Sequence, residues 1–244
     1  VMNTPENERV NISEEFEEIP YLNGSLFKRN DAEERNVDYQ VKYDILHRFV
    51  EFLDRFAFVN EESLEEKEAI DPKILGYIFE RAMTDAERKS TGAYYTPRAV
   101  TQYIAENTVY PTILEKANTY LKEEKGYNEE ELYDSVDEMI RKCRSLWDIR
   151  QKILVEDFRV VDPACGSGAF LLAVANILWD IHKRIGEQLG DSEADNDAWL
   201  KKLILRHNIY GVDINHNATE IARLRLWLWL VDSFNRNNLE ALPN

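Results

Sequence analysis

The 244-residue sequence predicts a helix-dominated α/β protein, with a helical N-terminal lobe over residues 1–156 and the opening of a parallel sheet, interleaved with helices, over 157–244. Three observations carry that expectation. Glycine (9) and proline (7) are both scarce, well under the roughly 12% share the two hold on average, so few turns interrupt the chain. Apolar residues recur at intervals of three and four through much of the first lobe, the period of a helix face. From Phe158 the pattern changes to short β-branched runs, each followed by turn residues and an apolar helix, and strands that alternate with helices pair in parallel. At about 150 residues per domain, the length suits two unequal lobes.

Taken in order, the polar and acidic first thirty residues hold one apolar patch, IPYLNGSLF, whose Asn23-Gly24 pair signals a turn in an irregular arm. Val41, Ile45, Leu46, Phe49, Phe52, Leu53 and Phe56 define one face of a helix over residues 37–59. Pro72 suits the first turn of a second helix, through Met83. A third helix is expected with Thr96 as N-cap and Pro97 at the first helical position, ending near Val109 because Pro111 interrupts it. The charged stretch 122–144 reads as a solvated helix or helical insertion. Phe158 to Ile181 is a strand, a glycine turn and an apolar helix continuing to about Gln188. A polar helical insert then precedes the strand NIYGVDI and a last helix over about 217–234. On that helix Trp227 and Trp229, two positions apart, cannot share a face.

Composition excludes several classes of function. The longest apolar stretches fall short of the roughly 18 residues a membrane span needs, and the first residues show no positively charged run followed by an apolar one. Two cysteines, Cys143 and Cys165, make no disulfide framework, and four histidines show no metal-ligand spacing with them, so we expect no metal site and a cytoplasmic origin. The net charge is −16, and residues 1–90 alone carry 22 acidic against 12 basic side chains. Such a surface has no phosphate-binding face, so a grip on DNA would have to come from elsewhere. Two E-x-K triplets, Glu65 to Lys67 and Glu123 to Lys125, fit a nuclease pattern, but in so acidic a chain they read as solvated helix faces.

The chemistry concentrates in Asp162 to Leu171, DPACGSGAFL. Gly166 and Gly168 permit positive φ and close backbone approach, and the helix that follows offers its N-terminal N–H groups. There is no GK[ST] ending for a P-loop, and Leu171 stands where a dinucleotide fingerprint needs a third glycine. A nucleoside ligand without a pyrophosphate fits better. If the two strands are parallel neighbours, Asp213 lies at the carboxyl edge beside the turn, where it could accept from both hydroxyls of a ribose, and Ile214 would pack on the base. Cys165 has no histidine near it in the motif and reads as turn packing rather than as a nucleophile.

DPACGSGAF followed by YGVDI resembles motifs I and II of S-adenosylmethionine-dependent DNA methyltransferases, and TGAYYTPRAV, residues 91–100, resembles their motif X. The order X, I, II is similar to that of gamma-type N6-adenine enzymes of restriction–modification systems. IPYLNGSLF and DPKILGYIFERAMTDAERKSTGAYYTP resemble the helical region ahead of the core in fused, type IIG-like enzymes. The resemblance implies a Rossmann-like methyltransferase domain, with a truncated sheet, over 157–244, and S-adenosylmethionine as cofactor. It implies that Asp162 and Ala164 line the methionine end, that Gly166 and Gly168 give clearance, that Tyr95 and Thr96 close over the ligand, and that Asp213 and Ile214 hold the adenosine.

Two departures from the family pattern stand out. Asp162 and Asp213 are 51 residues apart, against roughly 20 in a compact βαβ unit, and the long helix plus the insert to His207 must absorb the difference. The (D/N/S)PP(Y/F/W) motif that holds a flipped adenine is absent, for the chain has no Pro-Pro pair. We therefore expect a cofactor-binding part without catalytic residues, a fragment that begins at Val1 and whose catalytic motif lies beyond Asn244. It would reach double-stranded DNA through regions outside this chain and associate with a missing C-terminal segment or another chain, since two strands are few for an open sheet. A methyltransferase of RNA or protein, and a non-catalytic scaffold with a structural glycine turn, are the competing readings.

Overall fold

The computed structural model describes residues 96–191 and 196–233, residues 47–48, and the strand pair Ala57–Phe58 (β1) and Ala69–Ile70 (β2). The chain divides into two compact units, Val1–Ile74 with Phe234–Asn244, and Leu75–Ser233. In the first unit β1 and β2 pair in parallel, Ala57 opposite Ala69. Residues 57–58, expected at the end of a helix, are thus in a strand; the β-branched and aromatic run FAFV tolerates either state, and pairing decides it. Residues 47–48 are helical, and the remainder of the 37–59 helix, the Pro72 helix, the Ile19 to Phe27 patch and Glu65 to Lys67 lie outside the described residues.

The first described element of the second unit is helix α1, Arg98–Lys125. Pro97 rather than Thr96 occupies the cap position, with no side-chain cap bond; the Val100 and Thr101 N–H groups donate to Pro97 O at 2.9 and 3.1 Å. The helix also runs through Pro111. Its i, i+4 row Ala105, Val109, Ile113, Ala117 and Leu121 is buried without a break, mainly against the helix that follows the glycine turn. Each of the larger side chains in that row contributes about 1.5–3 kcal/mol on burial, which together outweighs the roughly 3 kcal/mol penalty of an interior proline. Gly126, with φ +72, closes the helix in the left-handed conformation.

The expected continuous helix over 122–144 is broken. After Gly126 come a 3-10 turn, Glu129–Glu131, and a short helix α2, Val136–Lys142, capped by Ser135 Oγ accepting from the Glu138 N–H. Val136, Met139 and Ile140 are buried, so α2 is a packed element rather than a solvated insertion. In Glu123 to Lys125, at the end of α1, Lys125 pairs with Asp148 at 2.5 Å. Residues Leu146–Asp148 then lead into a π-helical stretch, Ile149–Asp157, which delivers the chain to strand β3, Val160–Asp162.

Beyond the glycine turn lie α3 (Ala169–Leu189), α4 (Asp197–His207), β4 (Ile209–Gly211) and α5 (His216–Val231). The strands β3 and β4 pair in parallel, Asp162 opposite Gly211. The expected α/β architecture is therefore present: a short parallel sheet with α3 packed on one face. On the other face Val161, Tyr210 and Val212 are 62, 48 and 57% exposed. Trp229 is buried and donates from Nε1 to Asn176 Oδ1 at 2.8 Å, while Trp227 is half-buried, as their spacing requires. Among the described residues no helix is long and apolar enough to cross a membrane.

Candidate cofactor-binding site

The site is built where β3 ends and α3 begins. Parallel pairing is extended past the last regular ladder position, because the Val212 N–H donates to Asp162 O and the Cys165 N–H donates to Val212 O, both at 2.9 Å. These two bonds carry the chain after β4 alongside the glycine turn. Asp213 follows directly, and its Oδ2 accepts from the Gly166 N–H at 2.7 Å while Oδ1 accepts from the Asn215 N–H at 2.8 Å. The 51-residue separation is absorbed as the spacing requires, by α3 and α4 stacked on each other.

The turn itself has the backbone its glycines predict. Gly166 has φ +52, and a side chain there would meet nothing within 4 Å, so the turn is open at that point. Gly168 has φ +81 and is closed in: a Cβ would sit 2.9 Å from Ala222 Cβ and 3.2 Å from its Cα. Asp162 Oδ1 accepts from the Ala164 N–H at 3.1 Å, and Asp162 Oδ2 is buried with no hydrogen-bond partner. Ala164 is exposed, and Ile214 is 90% exposed beside Asp213.

Six of the eight residues singled out from sequence, Asp162, Ala164, Gly166, Gly168, Asp213 and Ile214, thus belong to the turn or to the segment bonded to it. Thr96 is half-buried just ahead of α1, and no hydrogen bond among the described residues joins it to the turn. Tyr95 lies outside the described residues.

Several contributors were not singled out. Gly211 faces α3, where a Cβ would meet Leu171 Cδ1 at 2.7 Å and Cys165 Sγ at 3.0 Å. Asn215 caps α5 through Oδ1, which accepts from the Asn217 and Ala218 N–H groups. Arg225 of α5 donates to the turn at Ser167. The signal for it was present, a lone arginine inside LRLWLWL.

Cys165 is buried, and burial, reinforced by Asp162 and Asp213, pushes its thiol up to about 11. The thiolate is the reactive form, so Cys165 is held unreactive at neutral pH, in keeping with turn packing. In the native chain, iodoacetamide at pH 8 should label Cys165 at least tenfold more slowly than in the urea-unfolded chain. Peptide mass spectrometry reads the difference, and equal rates would remove this account.

Comparison with known proteins adds to this geometry. Residues 136–240 match the family described as MmeI, DNA-methyltransferase domain. A type II restriction enzyme and methyltransferase of Methanocaldococcus jannaschii is 35% identical over 263 residues, covering 100% of this chain and 22% of that protein. DNA methyltransferase A of Bacillus subtilis is 25% identical over 226 residues, 91% of this chain and 21% of its own length. The adenine-specific methyltransferase BrxX of Escherichia coli is 26% identical over 136 residues, 52% of this chain and 10% of its own length. The chain therefore spans about a fifth or less of the length of these curated relatives. With a glycine turn after one parallel strand tied to a carboxylate after its neighbour, residues 136–240 of this chain, which enclose both, are similar to the MmeI DNA-methyltransferase domain family.

Proposed function

We propose that this chain is the donor-binding part of a site-specific adenine-N6 DNA methyltransferase of a restriction–modification system, and that the donor is S-adenosylmethionine. The observation that carries the reading is the 2.7 Å bond from the Gly166 N–H to the Asp213 carboxylate, which unites the glycine turn and the strand-end acid in one site. Names of the relatives, a DNA methyltransferase and adenine-specific methyltransferases among them, support DNA as the substrate over RNA or protein.

The residues present fit that donor. The buried, unpartnered Asp162 Oδ2 is an acceptor suited to an ammonium group at the methionine end, with Ala164 lining the same end. The absence of a side chain at Gly166 leaves room beside the turn, while Gly168 lets the turn close onto α5. Each oxygen of Asp213 takes one N–H and keeps acceptor capacity for a ribose hydroxyl. Ile214 offers an exposed apolar surface to an adenine ring, and Tyr95 and Thr96 are assigned to closing over the ligand. When bound, S-adenosylmethionine supplies an electrophilic methyl group on sulfur; this chain's residues orient it. We assign residues 157–244 to the partial methyltransferase domain with motifs I and II and residues 1–156 to the preceding helical lobe, with contacts to double-stranded DNA made outside this chain.

Calorimetric titration tests the reading. S-adenosylmethionine and S-adenosylhomocysteine should bind saturably and NAD should not. Asp213→Ala should weaken binding by about 1–3 kcal/mol through loss of the ribose contact. Binding of NAD in place of the sulfonium compound, or an unchanged affinity in the variant, would overturn the assignment.

A further inference from the structure

Arg225 is a charged residue in an apolar helix, and its side chain is used inward. It is 4% exposed and donates from Nη1 to Ser167 O at 2.6 Å and to Ser167 Oγ at 3.1 Å. Ser167 is the residue between the two positive-φ glycines. The peptide joining it to Gly168 is consequently held at both ends, since the Gly168 N–H donates to Cys165 O at 2.8 Å. One turn earlier on α5, Ala222 supplies the surface on which Gly168 rests. Asp213 holds the Gly166 N–H. Three restraints on three successive residues, 166 to 168, therefore come from a single segment, 213–225.

We propose that Arg225 is a positioning residue for the donor site: it fixes the conformation of the Gly166 to Gly168 turn through the Ser167 carbonyl and does not itself touch the donor. The inference rests on reading this turn as the donor site. Two physical points favour it over simple packing. A guanidinium is costly to bury, and a leucine or methionine in the same apolar helix would fill the space without that cost. A peptide flanked by glycines has the widest choice of φ and ψ, so its orientation needs an external restraint, and a charge-assisted hydrogen bond to its carbonyl is a strong one.

The test compares Arg225→Met and Arg225→Lys with the unaltered chain, by amide hydrogen exchange and by titration with S-adenosylmethionine. In Arg225→Met the Gly166 and Gly168 amides should exchange at least tenfold faster, while the Ile181 and Ile185 amides in the C-terminal half of α3 stay within about twofold of the unaltered chain. Donor binding should weaken roughly ten- to hundredfold. Lysine, which keeps one charged donor, should recover part of both effects. Unchanged exchange at the turn, exchange that rises equally in α3, or a lysine variant no better than methionine would overturn the positioning role. Should the methionine variant fail to fold, the lysine variant decides alone, since its turn amides must exchange faster than those of the unaltered chain with α3 unaffected. If the unaltered chain does not bind S-adenosylmethionine, the donor reading fails, and the exchange data judge the restraint separately.

Discussion

Gly168→Ala is expected to destabilise the chain by about 3 kcal/mol and to abolish donor binding. Two costs combine at this position. Holding an L-residue at φ +81 costs roughly 1–2 kcal/mol. The new Cβ would also lie 2.9 Å from Ala222 Cβ and 3.2 Å from Ala222 Cα, and the second of these is backbone that cannot rotate away. Either α5 moves off the turn, taking Arg225 with it, or the turn changes conformation. Gly126→Ala is the internal control, because Gly126 has φ +72 but open space around it. It should lose only the conformational part, about 1 kcal/mol. Urea unfolding of the two variants beside the unaltered chain measures both; equal losses would show that the contact with Ala222 carries no weight.

The second large effect is expected at Asn208. This side chain is fully buried, and its amide donates from Nδ2 to Leu154 O at 2.6 Å and to Phe158 O at 2.7 Å, while the backbone carbonyl of Asn208 accepts from the Val160 N–H at 2.8 Å. One residue thus ties the end of the π-helical stretch and the entries to both strands. Asn208→Ala removes two donors: Leu154 O loses its bond to the amide, at about 1–3 kcal/mol before any relaxation, while Phe158 O keeps the Arg159 Nη1 donor at 2.9 Å. A loss of about 2 kcal/mol in chemical unfolding follows. Asn208→Asp should be worse, since a carboxylate in the same place would face two carbonyl oxygens with no proton to share. A loss under about 1 kcal/mol for alanine would mean that water replaces the amide.

Much of this was legible beforehand for reasons that lie in local chemistry. DPACGSGAFL carries its own instructions: β-branched residues for a strand, two glycines for positive φ, then an apolar run with helical period. The observed β3, turn and α3 follow that order. The pairing of β3 with β4 was also anticipated, since a strand-helix-strand order favours parallel neighbours. Where expectation failed, a local rule met a tertiary one. Pro111 should have ended α1, but an unbroken buried row on either side of it kept the helix intact. The charged stretch after Lys122 read as one solvated helix or helical insertion, yet Val136, Met139 and Ile140 had a core to enter and set α2 apart. Thr96 had the side chain for a cap, but the helix begins one residue later and leaves it out.

The sequence by itself determined the element types around the turn, the α/β class and the residues that make a glycine turn and a strand-end acid, because each depends on backbone propensity and period within some twenty residues. Only the tertiary structure decided that Asp213 reaches the Gly166 amide, that Ala222 makes alanine intolerable at Gly168, and that Arg225 turns inward to Ser167. Those contacts join residues 47 to 58 positions apart along the chain, and no local preference encodes them. They exist because α3 and α4 bury their apolar faces on each other and return β4 beside β3, which brings the two ends of the site within hydrogen-bonding distance.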